Sequence, residues 1–192
     1  MKQDLIRRNI SDSITVKQEL LQNDAIMVDI TKVADLIVEA FNNGNKLLFC
    51  GNGGSAADAQ HLAAEFSGRY YLNRPPLHAE ALHTDTSFMT AVSNDFSFDE
   101  VYARLIQGIG KQGDILIGMS TSGNSKNVIK ALEEAKKKNI ITIGFTGKVN
   151  GNMKPYCDYL INIPSDDTPR IQECHLMLGH AICELVEKEL FS

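Results

Sequence analysis

The chain has 192 residues, 43% of them hydrophobic and 22% charged, with a net charge of −5 at neutral pH. That length fits one domain able to bury a sizeable core, and the ordinary composition excludes disordered and collagen-like classes. The acidic balance gives no long-range pull on nucleic acid or an acidic membrane surface, so an anionic ligand has to be held by local donors.

From Leu5 to Leu21 the apolar residues Ile6, Ile10, Ile14, Leu20 and Leu21 recur roughly at helical spacing. A second helical pattern runs from Ile26 to Phe41 through Ile30, Val33, Ile37 and Ala40, until Asn42-Asn43-Gly44 stops it. This pair, about 2–43, belongs to no βαβ unit, so it either covers a sheet or meets the same pair of another copy. Then come a strand at 46–50, a helix from about 55, a short strand near 79–83, helices within 86–109, a strand at 114–119 and a helix at 124–138. Strands at 140–145 and 158–163 and a helix from about 168 to 190 complete the series. The alternation predicts an α/β fold, one domain over 1–192, with a parallel sheet flanked by helices on both faces.

Arg74-Pro75-Pro76 and Gly147 to Gly151 read as loops inside the domain, and Lys136-Lys137-Lys138 as the solvated end of a helix. No apolar stretch approaches the roughly 20 residues that span a bilayer, and no signal-peptide apolar region follows Met1-Lys2-Gln3-Asp4, so a cytoplasmic protein without membrane contact is expected. Cys50, Cys157, Cys174 and Cys183 show no Cys-x-x-Cys spacing and read as free thiols.

Two short loops carry the chemistry. Cys50-Gly51-Asn52-Gly53-Gly54-Ser55 and Ser120-Thr121-Ser122-Gly123-Asn124-Ser125 each sit between an apolar strand-like run and a helical pattern. Either loop alone is also what a tight strand-to-helix turn looks like; two of them at one sheet edge point to a phosphate grip. Glycines let backbone N–H groups turn toward an anion, hydroxyls add donors, and the following helix N-terminus favours the charge. Residues 51–56 satisfy a minimal Gly-x-Gly-x-x-Ala pattern, but the acidic partner expected ~20 residues on would fall in Tyr70-Tyr71-Leu72-Asn73, which has none. A nicotinamide cofactor is therefore not expected. The nucleotide triphosphate loop Gly-x-x-x-x-Gly-Lys-[Ser/Thr] does not occur.

His61 and Glu65, four apart on the helix after the first loop, share one face. Gln172 and His180, eight apart on the last helix, fall loosely on one face. Taken alone, each pair reads more readily as a satisfied polar contact than as a ligand pair.

In this order the two loops resemble the sugar isomerase (SIS) domain. The stretch from Cys50 through His61, Glu65 and Arg69 to Tyr70 resembles its phosphoheptose isomerase branch, as do Ser93-Asn94-Asp95-Phe96 and Arg170-Ile171-Gln172-Glu173 followed by His180. The resemblance runs over essentially the whole chain and carries no role to Asp166-Asp167-Thr168-Pro169. It implies one zinc per active site on His61, Glu65, Gln172 and His180, nitrogen and oxygen donors that suit a four-coordinate ion. Glu65 and His180 become the acid/base pair of an aldose–ketose isomerisation. Asn52, Gly53, Gly54, Ser55, Glu65, Arg69, Asn94, Asp95, Ser120, Thr121, Ser122, Ser125 and Gln172 become substrate contacts, the serine loop taking the phosphate.

The implied reaction converts sedoheptulose 7-phosphate to D-glycero-D-manno-heptose 7-phosphate, the entry to heptose precursors of lipopolysaccharide or capsule. The implied assembly is a homotetramer. The competing expectation is a non-catalytic SIS protein that binds a phosphosugar or a replication-initiator partner. His78, His83 and His175 read as structural or surface residues, and Asp85 as a possible second support of the site.

Overall fold

A computed structural model describes residues 1–192. Five strands, β1 (Leu47–Gly51), β2 (Ala79–Ala81), β3 (Ile115–Met119), β4 (Ile141–Thr146) and β5 (Tyr159–Asn162), form one sheet in the order β2-β1-β3-β4-β5. Every pairing is parallel. Seven helices accompany them: α1 (Lys2–Leu21), α2 (Asp24–Asn42), α3 (Gly54–Ser67), α4 (Thr86–Asp95), α5 (Val101–Ile109), α6 (Lys126–Lys137) and α7 (Thr168–Phe191), with short 3₁₀ turns at Phe98–Glu100 and Gly151–Tyr156.

The strands read as near-continuous apolar runs because both faces of the sheet are covered. Successive side chains alternate between the two layers. Leu47 and Phe49 join the larger core with α2, α3 and α7, whereas Leu48 and Cys50 join the smaller one with α4, α5 and α6. Cys50, expected beside the site, points into that second core. Burial pushes its thiol well above the usual range, which makes it a packing residue.

The leading helix pair divides its labour. Ile26, Ile30, Val33, Ala34 and Ile37 of α2 are buried against the sheet layer, while α1 buries only Val16 and Leu20 and leaves Leu5, Ile6, Ile10 and Ile14 at least half exposed. Polar contacts hold α1 along the start of α7, with Ser13 Oγ donating to Glu173 Oε2 at 2.7 Å and Arg170 donating to Asn9 O.

Lys136-Lys137-Lys138 is more engaged than a solvated helix end. Lys136 Nζ reaches Asp158 Oδ1 at 2.6 Å, and Lys138 Nζ donates to Ile106 O and Gln107 O at 3.1 and 2.6 Å, satisfying carbonyls at the end of α5. All four cysteines are free, and no helix is long and apolar enough to cross a membrane.

Candidate active site

The chain leaves β1 for β2 on one side and returns to β3 on the other. The carboxyl ends of β1 and β3, adjacent at Gly51 and Met119, therefore form the crevice at which open α/β sheets take ligands. The two loops read from the sequence rise from those two strand ends. A reciprocal amide pair joins them: Asn52 Nδ2 donates to Asn127 Oδ1 and Asn127 Nδ2 to Asn52 Oδ1, each at 2.8 Å. Asn127 is buried in the first turn of α6 and its Oδ1 also accepts from Val128 N. Much of the Asn52 side chain is thus committed to holding the loops together. Below it, the Tyr102 hydroxyl donates to Gly51 O at 2.5 Å. Neither Asn127 nor Tyr102 carries a sequence signal beyond its position beside a helix start or on an apolar face.

The second loop is folded on itself. Ser120 and Ser125 hydroxyls lie 2.9 Å apart, Ser125 N donates to Ser120 Oγ at 3.3 Å, and Asn124 N donates to Ser122 Oγ at 3.2 Å. The backbone N–H groups of Thr121 and Ser122 have no acceptor within the chain. Beside this loop opens a cavity of about 270 Å³ lined by Thr121, Ser122, Asn124, Lys148, Asp166 and Thr168. Lys148, unmarked in the sequence, is the one cation there.

Helices α3 and α7 pack against each other. Gly179 makes the close approach possible: a Cβ there would stand 2.5 Å from Leu62 Cδ1. One position along, His180 Nε2 faces His61 Nε2 at 2.9 Å, and Glu65 Oε1 lies 3.2 Å from that same His61 nitrogen. Gln172 lays its side-chain amide over Gly54 at the start of α3, so α7 runs alongside α3 from its first turn to its last. Burial, with His61 as a neighbour, pulls His180 below the usual histidine value against the opposing carboxylate of Glu65. Asp58, one turn before His61, has a buried Oδ2 without a partner, and burial pushes its carboxyl up.

The ligand atoms of His61, Glu65 and His180 all lie within 4.8 Å of one another. Donors at about 2.0–2.1 Å from a tetrahedral zinc stand roughly 3.3 Å apart. The observed spacing, and the uncharged imidazole that burial favours at His180, suit such an ion. The remaining sequence-predicted residues fall less centrally. Ser55 is buried in the first turn of α3, with Gly53 and Gly54 exposed before it. Arg69 is exposed beyond α3, and Asn94 and Asp95, at the end of α4, bond to each other at 2.9 Å rather than to either loop. Asp85 caps α4, its Oδ1 accepting from Phe88 N at 3.0 Å.

The sequence pattern of the SIS domain matches residues 13–147. The phosphoheptose isomerase of Aneurinibacillus thermoaerophilus is 50% identical over 98% of this chain and 95% of its own length. The chain belongs to the phosphoheptose isomerase family of SIS-domain proteins. Phosphoheptose isomerase 2 of Campylobacter jejuni is equally similar, 50% identical over 97% of this chain and 92% of its own. The solved phosphoheptose isomerase of Neisseria gonorrhoeae superposes with a TM-score of 0.92 at 40% identity, covering 98% of this chain and all of that one. As a member of this family the protein is an isomerase.

Proposed function

We propose that the protein interconverts sedoheptulose 7-phosphate and D-glycero-D-manno-heptose 7-phosphate through a cis-enediol. The observation that carries this reading is the convergence of His61, Glu65 and His180 from two helices, one of which, α3, starts at the first loop. A ketose becomes an aldose when a proton leaves C1 and one arrives at C2, with matching transfer between the two oxygens, so an acid/base pair has to flank those carbons. Glu65 and His180 are that pair. Glu65 Oε1 faces His61, which leaves Oε2 to take the carbon-bound proton, while His180 serves the oxygens.

Ser55, Ser120, Thr121, Ser122 and Ser125 hold the phosphate with hydroxyl and N–H donors. Asn52, Gly53 and Gly54 shape the first loop, and Arg69, Asn94, Asp95 and Gln172 are the remaining substrate contacts that the family resemblance implies. One zinc per site, on His61, Glu65 and His180 with Gln172 as fourth ligand, supplies when bound a Lewis acid for the carbonyl and for the enediolate charge. Four free thiols fit a reducing compartment, the cytoplasm. There the product would enter heptose precursors for surface glycans. The exposed apolar face of α1 is covered by further copies of the chain, in the homotetramer that the family resemblance implies.

Glu65→Gln keeps the shape of the site and removes the base. Turnover on sedoheptulose 7-phosphate is expected to fall on the order of 100–10,000-fold with KM little changed, and wild-type protein in deuterated water is expected to label the product at C2. Undiminished turnover in Glu65→Gln would remove the assignment. Metal analysis of chelator-free protein should find zinc in the wild type and little in His61→Ala.

A further inference from the structure

The segment between α3 and β2 is pinned by one buried ion pair. Arg74 Nε donates to Glu187 Oε1 at 2.9 Å, and both side chains are 2% exposed. The rest of the guanidinium is directed largely at the end of α3. Nη2 donates to Glu65 O and Nη1 to Phe66 O, both at 2.8 Å, two of the carbonyls that a helix C-terminus leaves without partners. The Glu187 carboxylate in turn accepts from the backbone N–H groups of Tyr70, Tyr71 and Leu72 at 3.1, 2.7 and 2.8 Å. Burial works against ionisation there, but the three N–H donors and the guanidinium outweigh it and hold the carboxyl below the usual range.

Glu187 lies two helical turns beyond His180 on α7, along the stripe that faces α3. Apart from the His61–His180 contact itself, no side-chain hydrogen bond joins α3 to α7 directly. What remains between the helices is apolar contact such as Leu62 on Gly179, which is non-directional and sets spacing better than register. The ion pair is the directional anchor. It grips the peptide of Glu65 from one side and α7 from the other. It also fixes the chain at Tyr70, whose ring stacks at 5.7 Å on the His180 ring.

We propose that Arg74 and Glu187 are positioning residues for the isomerisation, setting the separation of the Glu65 carboxylate from the His180 imidazole although neither touches the reacting atoms. The inference rests on the reading of Glu65 and His180 as the acid/base pair. The phosphate grip lies at the opposite, N-terminal end of α3 and on the second loop, so loss of the anchor at the C-terminus of α3 should appear in kcat and not in KM. A displacement of about 1 Å at a reacting centre costs on the order of 100-fold.

The test compares Arg74→Ala, Arg74→Lys and Glu187→Gln with wild type and Glu65→Gln, at a temperature well below the melting point of each, on sedoheptulose 7-phosphate. The expected result is a kcat lowered roughly 10- to 100-fold with KM within about threefold, and partial recovery of kcat in Arg74→Ala when guanidinium ion is added at millimolar concentration. A merely structural pair would lower the melting temperature and leave kcat of the folded enzyme unchanged. Wild-type kcat in folded Arg74→Ala, with Glu65→Gln inactive, overturns the inference and leaves the acid/base reading standing; an active Glu65→Gln overturns that reading instead. If Arg74→Ala does not fold, Arg74→Lys decides, because lysine keeps the charge beside Glu187 but cannot span both α3 carbonyls. Wild-type kcat there overturns the inference equally.

Discussion

His175 and His180 lie on the same helix in opposite surroundings. His180 is half-buried at the site, whereas His175 is fully buried, with Nε2 against Thr146 O at 3.2 Å and Nδ1 without a partner. Burial, offset only in part by the Thr146 contact, pushes His175 down to about 4. Between that value and the ordinary histidine value near 6.5 the unfolded chain binds a proton that the folded chain refuses. Stability is therefore complete above about pH 6.5 and is lost as pH falls toward 4, by up to about 3 kcal/mol. His175→Gln, which can still donate to Thr146 O but cannot be protonated, should flatten urea-unfolding stability across that window; an unchanged slope would show that His175 does not govern it. At this scale the sequence places His61 and Glu65 on one helical face by their spacing, without marking them as a site. It conceals the meeting of His61 with His180 and of Arg74 with Glu187, because contacts between residues more than a hundred positions apart follow from how the elements pack and not from any local period. Only the family resemblance brought His180 into the site beforehand.

The strands and helices were legible because buried parallel strands write themselves as apolar runs and amphipathic helices as periodic ones. The expected strand at 114–119 is β3 at Ile115–Met119, and the expected helix at 124–138 is α6 at Lys126–Lys137. Hidden from that reading was how the second loop is buttressed. Gly123 has φ +66°, and a Cβ on it would lie 2.5 Å from Asn150 O, because the loop after β4 packs directly against it. Met153 N donates to Gly123 O and Asn152 N to Asn124 Oδ1, so the 3₁₀ turn at Gly151–Tyr156, which begins where the loop expected at Gly147 to Gly151 ends, braces the second loop, the proposed phosphate grip. Gly123→Ala meets both the backbone strain and the collision. It should destabilise the protein by about 1–3 kcal/mol and raise KM for the phosphosugar, and the inhibition constant for inorganic phosphate, more than it lowers kcat. Wild-type KM and phosphate inhibition in that variant would mean that the second loop does not hold the phosphate.

On the scale of the whole molecule, the two helices that precede the sheet differ in how much of their apolar surface the chain itself buries. The sequence left open whether the pair covers the sheet or meets another copy. The structure gives the first task to α2, and the proposed assembly gives the second to α1. Ile6, Ile10 and Ile14 stand one turn apart on α1, between 50% and 59% exposed, and with Lys17, Arg170 and Glu173 they line a groove of about 400 Å³ between α1 and α7. A row of isoleucines at this exposure loses free energy in water at roughly 25 cal/mol per Å² left uncovered, and contiguous apolar surface of this kind marks a protein contact. Because α1 is bonded to α7 through Ser13 and Glu173, a subunit docked on α1 would also stiffen the helix that carries Gln172 and His180. The double substitution Ile6→Glu and Ile10→Glu should therefore reduce the mass in solution to that of one 21.2 kDa chain, with helical circular dichroism retained, and should lower turnover along with it. A mass unchanged by two glutamates in the middle of that face would show that copies of the chain meet elsewhere.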